Sequence, residues 1–216
     1  AVRAGGAAAA DAAGAPGWRV RRRLADAAGY GMATAKVVAE PGTRRSYSSH
    51  GCAVLAEVLE QESDVPFATY LAEALCGPLG MADTDLDGGA QAAGYGATST
   101  VDDLVAFAGD LLVPATVSPQ MHHEATSVQF PGLDGVLPGF GVQRPNDWGL
   151  GFEIKDGKSP HWTGKRNSAG TYGHFGQSGT FLWVDPGVDL PSVVLTDRTF
   201  GQWAHTVIPA LSASLL

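Results

Sequence analysis

Between residues 49 and 61 the apolar side chains fall as Val54, Leu55, Val58 and Leu59. That spacing gathers them on one face of an α-helix. Pro66 suits the first turn of a second helix, with Phe67, Tyr70, Leu71, Ala74 and Leu75 as its stripe and Gly77 as its stop. Thr100 and Asp103 have the spacing of a capping-box variant ahead of a third helix, whose buried stripe is Leu104, Phe107, Ala108, Leu111 and Leu112. Residues 18–30 read as a short amphipathic helix around Trp18, Val20 and Leu24, ended by Gly29. The Ala- and Gly-rich residues 1–17 suit either a frayed helix or a linker.

After Trp148 the period changes. Leu150, Phe152 and Ile154 alternate, as in a strand with one buried face. Residues 181–184 and 193–195 are continuously apolar, as strands covered on both faces are, and Asp185-Pro186-Gly187 is the turn between them. A last helix from about residue 202 presents Trp203, Val207, Ile208, Leu211 and Leu215. Residues 113–148 are rich in Pro and Gly without a period, so they read as one long ordered loop of the kind that borders binding sites. The order predicts an α/β chain of the α+β type. A mainly helical lobe would occupy residues 1–145, and an antiparallel three-stranded run with a C-terminal helix residues 146–216.

Composition adds bounds. Hydrophobic residues make up 44% and charged residues 17%, enough for a sizeable core. A net charge of −8 with unclustered acids argues against nucleic acid or an anionic membrane as partner. The basic cluster of Arg19 and Arg21-Arg22-Arg23 reads as a solvated helix face. Cys52 and Cys76 lack metal spacing and are expected to be free, buried thiols. No apolar run approaches the ~20 residues of a membrane span. No metal or cofactor is expected. The chain opens on Ala1-Val2-Arg3 without Met or signal peptide, which reads as an interior piece of a longer chain and leans the expected compartment toward the cytoplasm.

Three segments carry residue types that core and loops do not need. In residues 41–51, Tyr47 stands among small hydroxyl residues just ahead of a helix. It can point its phenol into a cleft, or be an ordinary amphipathic Tyr with Ser49 as the helix N-cap. In residues 170–180 the density of Gly exceeds what a strand needs and marks close approach of a ligand or of another backbone. His174 inside that run is either a site residue or a satisfied structural group. Asn146-Asp147-Trp148-Gly149 and His161-Trp162-Thr163-Gly164 fit cleft-rim loops, though ordinary turn chemistry explains them as well. Other motifs fail. Gly173-x-x-Gly176-x-x-Gly179 is followed by a strand, so it is no dinucleotide fingerprint. Gly164-Lys165-Arg166 lacks the Ser or Thr of a phosphate loop, and His122-His123-Glu124 are adjacent rather than spaced as a zinc pair. Residues 176–180 miss the last Gly of a nucleophile elbow, where Thr180 stands, which leaves Ser178 only as a nucleophile in some other arrangement.

Taken together, the segments resemble the penicillin-recognising serine hydrolases, the β-lactamase-like family that includes D-alanyl-D-alanine peptidases and esterases. Tyr47-Ser48-Ser49 stands in the place of the family's Tyr-x-Asn, after Pro41-Gly42-Thr43-Arg44. Pro78-Leu79-Gly80-Met81 with Thr84 resembles P-L-G-M-x-x-T, and Arg21 to Gly29 resembles a further family segment with Asp26 in place of His. His174-Phe175-Gly176 falls where the family has Lys-Thr-Gly or His-x-Gly. The resemblance implies a β-lactamase/transpeptidase-like fold with its N-terminal part missing. The family's Ser-x-x-Lys does not occur, because Ala33, Phe152, Lys155 and Trp162 precede the four lysines by three residues.

What the resemblance implies for chemistry follows by residue. In a complete member the Ser attacks an acyl carbonyl with its Lys as base. Tyr47 would shuttle the proton to the leaving group, and needs cationic neighbours because a free phenol titrates near ~10. A protonated His174 could be one such neighbour. The N–H of Gln177 would be half of the oxyanion hole. Gly176 would let the substrate lie against the strand edge, with Phe175, Ser178 and Trp148 also lining it. Ser49 in place of Asn and Phe175 in place of Thr tilt the expected substrate, a small-molecule or peptide acyl compound, from β-lactams toward peptides and esters. The chain by itself would be inactive. The other reading is a non-catalytic binding or vestigial relative.

Overall fold

A computed structural model describes residues 2–3 and 31–216. The helix read over residues 18–30, its arginine cluster and the segment resemblance carried by Arg21 to Gly29 lie outside the described residues, as do residues 4–17.

Helix α1 (Ser49–Ser63) is capped by Ser48 rather than Ser49: the Ser48 Oγ accepts from the Gly51 N–H at 3.0 Å, and Ser49 is buried inside the first turn. Its buried face is Ser49, Ala53 and Ala56, while Leu55 and Val58 are exposed. Close approach explains this correction. A Cβ placed on Gly94 would lie 2.9 Å from the Ser49 Cα, so only small side chains fit on that face.

Pro66 stands before the first turn of α2 (Phe67–Leu71). The helix does not stop at Gly77. It passes through a π-helical turn, Ala72–Cys76, into α3 (Gly77–Leu79), and ends at Gly80, whose φ of 69° suits a residue without Cβ. There the Met81 N–H reaches back to the Cys76 carbonyl at 2.8 Å and the Gly80 N–H to that of Gly77 at 3.1 Å. Tyr70 and Ala74, expected in the stripe, are exposed. Cys76 is buried and Cys52, against expectation, is exposed; both are free.

Strand β1 (Val2–Arg3) pairs with β3 (Ala97–Ser99), which also pairs with β2 (Asp85–Leu86), both antiparallel. Helix α4 (Val101–Leu112) begins where the capping spacing places it, with the Thr100 hydroxyl accepting from the Asp103 N–H at 3.2 Å. The Asp103 carboxylate then accepts from the Asp83 N–H and the Thr84 hydroxyl, tying α4 to the approach to β2.

Residues 113–148 are not one loop. They hold α5 (Pro119–Thr126), capped by the Ser118 hydroxyl, and the hairpin of β4 (Gly135–Leu137) and β5 (Gly141–Gln143). Elements of eight and three residues repeat too few times to show a period.

The main sheet has four antiparallel strands rather than three, in the order β6 (Glu153–Ile154), β7 (Tyr172–Phe175), β8 (Phe181–Asp185) and β9 (Leu190–Val194). Leu150 is exposed and outside the pairing. On one face α6 (Ala204–Ser214) and the hairpin cover Trp162, Phe175, Phe181 and Trp183; on the other, α4 packs against β8 and β9 over Ile154, Tyr172 and Val184. Helix α6 buries Ala204, Ile208 and Ser212, leaving Val207, Leu211 and Leu215 exposed. The fully buried Trp183 sets that rotation: its Nε1–H donates to the Ser212 Oγ at 3.0 Å, which needs a small hydroxyl residue there. No described helix is long and apolar enough to cross a membrane.

Candidate active site

Strand β7 alternates, and this places the site. Phe175 sends its ring into the core, 5.4 Å from that of Trp162 and 5.2 Å from that of Phe200. His174, one residue earlier, projects from the opposite face into a cavity of about 480 Å³. The segment entering α1 brings Tyr47 to the same cavity, and the turn before β6 brings Trp148. The three rings meet pairwise: Tyr47 to His174 at 5.4 Å, Tyr47 to Trp148 at 5.9 Å, Trp148 to His174 at 5.7 Å. Glycines 94, 149, 151, 173 and 176 also line the cavity, together with the apolar Leu104, Phe107, Phe152, Leu182 and Leu195.

Burial pushes the His174 imidazole below its ordinary range, offset in part by the Phe175 backbone and the Glu153 charge. A neutral ring is therefore favoured at neutral pH, and the protonated form expected to assist Tyr47 is disfavoured. The Arg45 guanidinium, also on the cavity wall, donates to the carbonyls of Gln129 at 2.6 Å and Phe130 at 3.3 Å. Burial lowers its pKa and the charge of Asp147 acts the other way.

The remaining expected site residues are spread around this centre. Ser49 is buried in the first turn of α1 and is not on the cavity wall. Gln177 follows Gly176 in the turn after β7; its carbonyl accepts from the Phe200 N–H at 2.8 Å, and its side chain reaches toward the Phe200 carbonyl. Ser178 has its hydroxyl 2.9 Å from that of Thr180. Of the two expected rim loops, Asn146, Trp148 and Gly149 do line the cavity, whereas His161, Trp162 and Thr163 are buried in the core. Among the described residues no three His, Cys, Asp or Glu side chains gather as metal ligands.

Behind the wall lies a polar cluster that sequence reasoning missed. Glu153, 1% exposed, takes the Lys158 Nζ on one oxygen at 2.6 Å, and His161 Nε2 at 2.7 Å and the Trp162 Nε1–H at 2.8 Å on the other. Lys158 spends its other donors on the carbonyls of Asp147, at 2.5 Å, and Ile154. Burial would raise the Glu153 pKa, but the hydrogen bond and charge of His161 and those of Lys158 outweigh it and hold the carboxyl below its usual range. The cluster grips the residue before Trp148, and Glu153 itself is paired with Gly173, the neighbour of His174. Its one signal in the sequence is a charge placed between the apolar Phe152 and Ile154.

Comparison with known proteins fits this arrangement. A crystal structure of a beta-lactamase from Mycobacterium bovis is 61% identical, with a TM-score of 0.84, over 97% of this chain and 77% of that one. A penicillin-binding protein homologue from Caulobacter crescentus, 17% identical with a TM-score of 0.58 over 80% of this chain and 59% of that one, shares the fold. So does unliganded simvastatin synthase from Aspergillus terreus, at 17% identity and a TM-score of 0.63, over 83% and 57%. Comparison with curated proteins gives no match. The family model described as beta-lactamase matches residues 5–215. Nearly the whole chain thus carries the family's sequence pattern on the family's mixed helical and antiparallel architecture, and the chain belongs to the beta-lactamase family.

Proposed function

We propose that the Tyr47–Trp148–His174 cavity is the acyl-binding wall of a serine hydrolase acting on amides or esters, with peptides and esters favoured over β-lactams. The observation that carries this reading is the meeting of Tyr47 and His174, 127 positions apart in sequence, with ring centroids 5.4 Å apart on the cavity wall. Tyr47 is the group that relays the leaving-group proton. His174 next to it could take up that proton only by becoming a cation, which its burial resists, so the relay rests on the Tyr47 phenol. The Gln177 N–H, in the turn where β7 ends, is assigned to the oxyanion that develops on the acyl carbonyl. The lobes on either side of residue 145 are the two walls of the cleft.

The attacking serine and its lysine are assigned to a Ser-x-x-Lys outside these 216 residues, since none occurs within them. Fluorescent penicillin and fluorophosphonate labelling test this. The 216-residue chain is expected to form no acyl or phosphonyl adduct, while the product of the longer reading frame forms one at a stoichiometry near one. An adduct on the short chain refutes the assignment of the nucleophile. Binding without an adduct on the longer product instead marks a non-catalytic binding relative.

A further inference from the structure

We infer that Glu153 and Lys158 are positioning residues of the acyl site: their side chains lock the Trp148 turn to strand β7, so that the Trp148 and His174 rings meet on the cavity wall. The inference rests on that cavity being the acyl site proposed above. Glu153 stands between the two rings in the backbone pairing. It bridges antiparallel to Trp148 on one side and pairs with Gly173, the residue before His174, on the other. The Gly149 N–H closes the turn by donating to the Phe152 carbonyl at 2.9 Å. A shift of Glu153 therefore moves Trp148 against His174, and their ring centroids lie only 5.7 Å apart.

Strand β6 is two residues long and lies at the edge of its sheet, so backbone pairing alone holds it weakly. The side chains add the rest. The Lys158 ammonium has three N–H donors, and it spends them on Glu153 Oε1 at 2.6 Å, on the Ile154 carbonyl and on the Asp147 carbonyl at 2.5 Å. The last of these clamps the residue before Trp148 to β6. His161 and the Trp162 Nε1–H fix the second Glu153 oxygen from behind. Both charged side chains are buried, so water does not compete for the clamp. The other ties of the turn lead elsewhere. The Trp148 carbonyl accepts from the Gln129 N–H at 2.8 Å, and the Leu150 N–H donates to the Ala125 carbonyl at 2.9 Å. Those anchor the turn to α5 and the segment after it, not to β7. A buried ion pair is weak evidence of stability, and its best-attested use is to fix one register. Here the register is that of Trp148 against His174. A misplacement of about 1 Å in such a site can cost about a hundredfold in rate.

Two variants test this. Lys158→Met keeps the bulk of the stem and removes the ammonium, whereas Glu153→Gln combined with Lys158→Met removes both charges and strands neither. Each is made in the 216-residue chain and in the product of the longer reading frame. In the 216-residue chain the readout is the nuclear Overhauser effect between the Trp148 indole and His174 imidazole protons, identified by its absence from Trp148→Phe. In the longer product it is the rate of adduct formation with fluorescent penicillin or fluorophosphonate, measured well below the thermal midpoint of each variant. The expected result is a cooperative melt, loss of the ring-to-ring effect and labelling slower by at least about tenfold. A pair that only stabilises the fold lowers the midpoint alone. Variants that melt earlier but keep both the effect and the wild-type rate overturn the inference and leave the acyl site standing. A change in one readout without the other overturns it too, as does a wild type without the effect or a chain that folds with neither set of substitutions. A wild-type longer product that takes neither label overturns the acyl-site reading, and the inference with it.

Discussion

A methyl group added to Gly173 would sit 2.1 Å from the Leu182 carbonyl oxygen and 2.7 Å from the Trp183 Cα. Both are backbone atoms of the paired strand, so β7 and β8 would have to part. Gly173→Ala is expected to destabilise the fold by about 1–3 kcal/mol, the usual cost of overpacking. Gly109, exposed on α4, meets nothing within 4 Å, and Gly109→Ala is expected to stabilise by about 0.5–1 kcal/mol through helix propensity. Urea midpoints at unchanged m-value check both signs. The same residue shows what the sequence could tell. An excess of Gly implied close approach of a ligand or of another backbone, and at Gly173 the partner is backbone. His174 and Tyr47 stood out because imidazole and phenol are unusual among small residues. Glu153 did not, because a charge between two apolar residues reads as the wet side of a strand. Only the fold brings Lys158 and His161 to it.

At the level of elements, caps were more legible than faces. Thr100 and Asp103 specify the start of α4 through a local contact, which neighbouring chain cannot alter. The faces of α1 and α6 depend on what packs against them. Gly94 and Trp183 select small residues over the larger ones that a helical period would choose. The Ser118-Pro119 start of α5 was equally local, yet a helix of eight residues offers too little stripe to be noticed. Removing the caps tests how far they matter. Thr100→Ala and Ser118→Ala are each expected to cost about 1 kcal/mol. They should add when combined, since the two hydroxyls share no partner. Chemical denaturation of the two single variants and the double variant reads this directly.

For the molecule as a whole, the family resemblance was legible because it rests on short motifs in a fixed order, which survive without knowledge of the packing. The sheet's fourth strand and the hairpin were less so, being held by long-range pairing. The same long-range contacts set the response to acid. Burial would raise the Asp185 pKa, but the Ser168 hydroxyl and N–H and the Gly187 N–H hold it below its usual range, as His161 and Lys158 do for Glu153. Carboxylates held low stabilise the fold above the unfolded value near ~4, and that contribution is lost as pH falls through the lower folded values. His174, held below the ordinary value, adds a loss that starts earlier, because the unfolded imidazole takes up its proton first as pH falls below about 6.5. Thermal melts followed by circular dichroism are expected to show a gently falling midpoint below pH 6.5 and a steep fall below about pH 4. A midpoint that rises on acidification would contradict this account.

The closed grip of Lys158 on Glu153 also constrains how such a chain can evolve. Replacing either residue alone strands a buried charge, at a cost of about 3–5 kcal/mol. That is a large share of the roughly 5–15 kcal/mol by which a domain of this kind is stable. An apolar pair of the same volume would leave the His161 ring nitrogen, the Trp162 N–H and the Asp147 carbonyl without these partners, and single steps toward it cross a variant with an uncompensated buried charge. The two positions are therefore expected to be inherited together, and to be exchanged together or not at all.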